Sequence, residues 1–162
     1  MESVEYYYDD VAQIYFSSKK NLKYEYVQAF KCFGFIDFEM DTSVSAIDVL
    51  LLNKKEPILE SIRNEILNYL LEERNVSRFE VFLEERKTNN YSFGFSDFAI
   101  IVDESSVWLL IKQSDPLQDE VMSKLISNIS IRYDLFLVDD NQGFIVESNE
   151  ISNVMEYLDH IE

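Results

Sequence analysis

The sequence predicts an α+β protein in which a mostly antiparallel sheet of about five strands packs with helices. Two patterns favour this class. Up to about residue 75, apolar side chains mostly recur at helical spacing. After it, stretches in which apolar and polar residues alternate are separated by further helical segments. The chain has 162 residues, of which 47% are apolar, and only three glycines and two prolines. A chain of this length and composition can bury one continuous core and has little linker sequence.

We expect one compact domain, residues 1–162, with a helical N-terminal half (1–75) and a sheet-forming half (76–162). A first helix, capped by Ser3, is predicted by side chains three or four positions apart, namely Val4, Tyr7, Tyr8, Val11 and Tyr15. Four further elements are predicted in this half: a helix from Leu22 to Phe33, a short strand at 35–40, helical turns at 45–53, and the strongest helix from Pro57 to about Arg74.

The second half predicts the element order βββαββα. The elements are strands around Val81, at 91–102 and at 107–112, a helix beginning at Pro116, strands at 131–137 and 144–147, and a last helix from about residue 149.

The aromatic stretch YSFGFSDFAIIVDESSVWLLIK, residues 91–112, carries large apolar side chains on both faces. The apolar positions change parity between Phe95 and Phe98, which predicts a bulge in one long strand. Because Leu109 and Leu110 point to opposite faces, a core on one side cannot absorb them all. We expect helices to cover both faces and Trp108 to be largely buried; the alternative is a partner site on one face.

The net charge is −17, because 31 acidic residues outnumber 14 basic ones. Residues 133–162 contain eight carboxylates and no lysine or arginine. Such a field repels nucleic-acid phosphates and anionic membranes, and it speeds encounter with basic proteins. We therefore expect a basic protein partner, no direct binding of nucleic acid and no membrane association. The simpler alternative is that the charge only maintains solubility.

Residues able to bind metal or carry catalysis are scarce. Cys32 and His160 are single, so neither a zinc site nor a histidine-activated nucleophile is indicated, and His160 is expected to be solvated. DDNQGF, residues 139–144, lacks the ligand spacing of a calcium loop and predicts a hairpin turn. We expect no metal, no cofactor and no enzymatic activity. The acidic start and the lack of an apolar run near 20 residues predict a cytoplasmic protein.

One topological resemblance suggests a nuclease. The predicted order αβββαβ resembles that of restriction-endonuclease-like folds, which implies Mg²⁺ held by an Asp on the second strand and a Glu-x-Lys on the third. Asp97 and Lys112 match two of these positions, but Leu110 stands where the carboxylate is required. The resemblance therefore covers topology only.

Small size, acidic charge and scarce catalytic residues together predict an inhibitor of the immunity-protein or antitoxin type. Such a protein masks a basic partner, for example a nucleic-acid-cleaving toxin. One alternative is a phage-encoded DNA mimic that blocks a host DNA-binding or defence protein. Another is a carboxylate- or metal-dependent enzyme in which Arg132, Tyr133 and Asp134 converge with Asp97 on the sheet.

The predicted contact residues are of two kinds: tyrosines that lie beside acids, and acids in turns. Aromatic anchors desolvate well, and acids steer a basic partner. In the first helix we expect Tyr7 and Tyr8 to lie in the core and Tyr6 to be exposed. The candidate contact residues are Glu5, Tyr6, Asp9, Asp10, Glu84, Glu85, Asp103, Glu104, Asp139 and Asp140.

Overall fold

The computed structural model describes residues 3–7, 11–26, 56–73, 77–78, 80–87, 91–95, 98–103, 105–112 and 116–161. Their fold is α+β, as predicted. The strands are β1 (Ser3–Tyr6), β2 (Ala12–Ser18), β3 (Ser77–Arg78), β4 (Glu80–Leu83), β5 (Arg86–Lys87), β6 (Tyr91–Phe95), β7 (Phe98–Val102), β8 (Val107–Ile111), β9 (Leu135–Asp139) and β10 (Phe144–Val146). The helices are a 3-10 helix (Lys19–Asn21) that continues helically to residue 26, α1 (Glu60–Glu72), α2 (Pro116–Tyr133) and α3 (Ile151–Ile161).

The main sheet is antiparallel throughout and has the strand order β10-β9-β2-β8-β7-β6-β3. It thus has seven strands in the described ranges, two more than the approximate five predicted. A second sheet has the order β1-β4-β5, with β1 parallel to β4. β2 is an interior strand of the main sheet, where Tyr15 is opposite Trp108 on one side and Val138 on the other.

The first predicted helix is wrong, because residues 3–6 and 12–18 form strands. In β2, buried Ile14 and Phe16 alternate with the more exposed Gln13 and Tyr15. Aromatic and β-branched side chains suit this half-buried, pleated surface better than a helix. The first half of the chain is therefore not uniformly helical, and it supplies an interior strand of the sheet.

The predicted strand at 91–102 is two strands. β6 and β7 pair as an antiparallel hairpin with Phe95 opposite Phe98, so the chain reverses direction between them. The change of parity that suggested a bulge is explained by this reversal.

The predicted strand at 131–137 begins later than expected. α2 continues to Tyr133, and Ile131 is 64% exposed on its outer face. Asp134 ends the helix in the left-handed region (φ 55°), and its carbonyl oxygen accepts a 3.0 Å hydrogen bond from the Lys19 N–H. Strand β9 then starts at Leu135.

One face of the main sheet carries the three helices. The buried contacts of this face include Ile66 and Leu70 of α1, Ile126 of α2, and Val154 and Leu158 of α3. α1 begins at Glu60 rather than at Pro57, and its buried residues are Ile66 and Leu70. The helices therefore bury the side chains of β2, β7, β8 and β9 that point to this face.

The opposite face is covered by the second sheet over part of its area. Tyr6, Val81 and Leu83 pack against Ala99, Ile101 and Leu110 of the main sheet, and Trp108 is partly buried at the margin. We predicted helices on both faces; among the described residues, a small sheet lies on this face instead. The predicted elements at 35–40 and 45–53, and the predicted helix beyond residue 26, lie outside the described residues.

Candidate functional site

The acidic turns lie at two ends of the main sheet. The turn after β9, which contains Asp140, lies at the end where Ala12 is opposite Ile111, as the strand register shows. The turn between β7 and β8, which contains Asp103, lies at the opposite end, where Val102 is opposite Val107. These candidates do not form one contact surface, and Glu104 lies outside the described residues.

Glu84 and Glu85 form the exposed two-residue turn between β4 and β5. The Glu84 N–H donates to the Tyr6 carbonyl oxygen at 2.9 Å. Lys112 lies over the Tyr6 ring at 5.0 Å and its Nζ donates to the Glu5 carbonyl oxygen at 3.4 Å. These contacts place the Glu84–Glu85 turn at the same end of the main sheet as Asp140. Asp9 and Asp10 lie outside the described residues.

Glu84 and Glu85 both have left-handed backbone conformations, with φ of 51° and 66°. A two-residue turn of this type favours Asn-Gly, because side chains with a Cβ are strained at positive φ. We expect Glu84→Asn/Glu85→Gly to raise the free energy of unfolding by about 1–2 kcal/mol, measured by urea denaturation. The control, Glu84→Gln/Glu85→Gln, removes the charges and keeps the strain. Equal stabilisation by both variants would attribute the effect to charge repulsion and contradict the prediction.

Two candidate contact residues are inaccessible in the fold. Tyr6 is 0% exposed and Tyr7 is 43% exposed, the reverse of the expectation, because β1 is a strand whose alternate side chains point to opposite faces. Asp139 is 2% exposed. Its Oδ2 accepts a 2.6 Å hydrogen bond from the Tyr157 hydroxyl, and its Oδ1 accepts one of 3.1 Å from the Gln142 N–H. We therefore remove Tyr6 and Asp139 from the contact residues.

The environment of Asp139 also explains the sequence DDNQGF. Gly143 has φ of 73°, and its N–H donates to the Asp139 carbonyl oxygen at 2.9 Å. The carbonyl oxygen and the carboxylate of Asp139 therefore both accept hydrogen bonds from the turn between β9 and β10. This agrees with the turn predicted from the sequence. The neighbouring Asp140 is exposed.

Tyr15 lies between two carboxylates. Its hydroxyl is 3.1 Å from Asp140 Oδ1 and 3.4 Å from Glu25 Oε1. Burial raises the pKa of Tyr15, and the negative charges of Glu25 and Asp140 raise it further. The phenol is therefore a hydrogen-bond donor at neutral pH and not a base, because its anion is disfavoured.

Of the residues proposed for an enzyme, those that the structure describes do not lie on a sheet face. Arg132 and Tyr133 belong to the last turn of α2, and the Arg132 guanidinium lies 5.1 Å from the centre of the Tyr69 ring. At the nuclease-like positions, Leu110 is fully buried and Lys112 contacts β1. Asp97 lies outside the described residues.

The sequence-based choice of turns left out three exposed acids beside α3. Glu147 and Glu150 precede this helix and Glu156 lies on it, and all three are exposed. We call these three residues the C-terminal acidic surface. Lys19 Nζ lies 3.6 Å from Glu147 Oε1. The absence of lysine and arginine from residues 133–162 was the signal for this surface in the sequence.

A groove of about 330 Å³ runs between β10 and α3. Its helical wall includes Asn153, Glu156 and His160. The ring of His160 packs edge-on against that of Phe144, with 4.5 Å between centroids. His160 is exposed, in agreement with the expected solvated histidine, and its ring also contacts the fold through Phe144.

Comparisons with family models, curated proteins and solved structures find no match. The described part of the chain contains no group of three or more His, Cys, Asp or Glu side chains that could hold a metal ion. No helix within the described ranges is long and apolar enough to cross a membrane. A function must therefore be inferred from the physical properties of the surfaces.

Proposed function

We propose that this protein is a cytoplasmic inhibitor of the immunity-protein or antitoxin type, which acts by binding and masking a basic protein partner. The observation that carries the proposal is the C-terminal acidic surface, Glu147, Glu150 and Glu156. It belongs to a segment, residues 133–162, with eight carboxylates and no lysine or arginine. A mainly negative surface steers a basic partner and repels nucleic acid, and Lys19 offsets only part of the charge, at Glu147.

We assign the buried carboxylate a role in the fold and the exposed carboxylates a role in partner binding. Asp139 is enclosed and hydrogen-bonded, whereas Asp140, Glu84 and Glu85 are exposed at one end of the main sheet. Exposed carboxylates contribute more to the association rate than to final affinity. We assign them a steering role at the margin of the contact surface.

The test begins with recovery of a basic partner from the cells that produce the protein, at about 50 mM salt. Its affinity for the purified protein is then measured at increasing NaCl. We expect Kd to rise about tenfold or more by 300 mM, because salt screens exposed charges. Failure to find a basic partner, or a Kd independent of salt, would contradict the proposal.

Matched triple variants test which acids speed association with the partner. Glu147→Gln/Glu150→Gln/Glu156→Gln neutralises the C-terminal acidic surface and should slow association with the partner about tenfold. The control neutralises three exposed acids of α1, Glu60→Gln/Glu65→Gln/Glu72→Gln, and changes the net charge by the same amount. If both variants slowed association equally, the net charge and not the C-terminal acidic surface would account for the rate. Competition by duplex DNA against several unrelated DNA-binding proteins would instead identify the protein as a DNA mimic.

A further inference from the structure

Strand β10 forms one edge of the main sheet. In the described part of the chain it pairs only with β9. An edge strand presents backbone N–H and C=O groups that can pair with another chain. Many edge strands are protected by lysine or proline, but β10 consists of Phe144, Ile145 and Val146. Its outer edge, about 10 Å long, is therefore suited to pairing with a short extended segment.

The groove provides a wall for the side chains of such a segment. Asn153, Glu156 and His160 are spaced three and four positions apart, so they form one stripe along α3. Phe144 packs against this helix through Tyr157 as well as His160, with 6.1 Å between the Phe144 and Tyr157 ring centroids. The strand edge and the helical wall thus run side by side along a single groove.

The charges around the groove define what it can accept. Glu156 lies on the helical wall and Glu147 at the end of β10, and both are exposed. Lys19 Nζ lies 3.6 Å from Glu147 Oε1 and offsets part of the charge of that carboxylate, whereas Glu156 stands on the helical wall itself. Lysine or arginine side chains on an added strand would be attracted to this groove, and acidic ones would be repelled.

We propose that the groove between β10 and α3 binds an extended segment of the partner protein that contains lysine or arginine, added as a further strand beside β10. Backbone hydrogen bonds to the edge of β10, which is unpaired among the described strands, supply affinity, and alternate side chains reach the helical wall. The inference rests on the proposed function for the sign of the partner's charge. A second copy of this chain is a poorer occupant, because dimerisation would bring two acidic grooves together.

The test uses a nine-residue peptide of alternating valine and lysine, blocked at both ends, and measures Kd by fluorescence anisotropy. A second peptide of the same sequence is N-methylated at every interior backbone nitrogen, which keeps the charge and removes strand hydrogen bonding. We expect the methylated peptide to bind about tenfold more weakly. We also expect NMR shifts of the backbone amides of β10 with the unmethylated peptide.

Protein variants test the same site. Ile145→Lys places a positive charge on the half-buried edge position and should weaken peptide binding about tenfold or more. The control, Ile131→Lys, makes the same change at a 64% exposed position of α2 and should change Kd less than about twofold. Glu156→Gln should weaken binding more than Glu72→Gln, an exposed acid of α1.

The outcomes separate this inference from the proposed function. Equal Kd for the two peptides, or equal effects of the two lysine variants, would overturn strand addition and leave the proposed function standing. Concentration-dependent dimerisation that Ile145→Lys abolishes would overturn it in favour of a second copy. Recovery of a basic partner whose binding is unaffected by Ile145→Lys would place that contact elsewhere and also overturn the inference.

Discussion

Replacing Leu109 or Leu110 with alanine should in each case lower the free energy of unfolding by about 2–5 kcal/mol. The two residues are neighbours in β8, point to opposite faces and are both 0% exposed. Leu109 belongs to the core beneath the helices, and Leu110 to the core beneath the second sheet. Each truncation therefore removes buried apolar surface and leaves a cavity. Urea denaturation followed by the fluorescence of Trp108 gives both values.

The control is Leu71→Ala on α1, where the side chain is 52% exposed. This substitution should change stability by less than about 1 kcal/mol. If Leu110→Ala were as mild as Leu71→Ala while Leu109→Ala was severe, the second sheet would not cover its face in solution. The face that carries Leu110 and Trp108 would then be open to a partner.

Asp139→Ala should lower the free energy of unfolding by about 3 kcal/mol, whereas Asp140→Ala should cost less than about 1 kcal/mol. The two carboxylates are adjacent in sequence, but Asp139 accepts hydrogen bonds from the Tyr157 hydroxyl and the Gln142 N–H. Its removal leaves both donors without this acceptor. Asp140 is exposed and accepts one hydrogen bond from Tyr15. Thermal or urea denaturation of the two variants measures the difference.

Tyr157→Phe tests the same hydrogen bond from the other side and should cost about 1–3 kcal/mol at neutral pH. Burial raises the pKa of Tyr157, and the hydrogen bond to Asp139 raises it further. The folded-state pKa therefore exceeds the unfolded value of about 10, so this stabilisation is complete below pH 10 and is lost as pH rises. The deficit of Tyr157→Phe should shrink above pH 10. A deficit that grew with alkaline pH would contradict this linkage.

Sequence patterns predicted the elements whose apolar stripe is long and faces one core. The helix ending near residue 74 and the helix beginning at Pro116 are examples, and both occur in the fold. The predicted helix at residues 4–15 failed because its aromatic residues fit helical and alternating spacing equally well. Only the pairing of β2 with β8 and β9 decides between the two, and that pairing involves residues far away in the chain.

The contact residues were harder to predict for a related reason. Whether an acid is exposed depends on what the fold places beside it, and Asp139 and Asp140 illustrate this directly. The tyrosine that encloses Asp139 lies on α3, 18 positions later. The concentration of negative charge after residue 133, by contrast, is a property of composition and needs no tertiary information.

The position of β2 between β8 and β9 has a consequence for how the protein folds. Tyr15 of this strand and its hydrogen-bonded partner Asp140 are 125 positions apart. At 5–20 residues per second, a ribosome takes about 6–25 s to add that length of chain. During this interval Ile14 and Phe16 lack the pairing of β2 with β9, although both are buried in the native sheet. Folding is therefore completed after synthesis of β9, and such distant pairing makes it slow relative to helical proteins of this size.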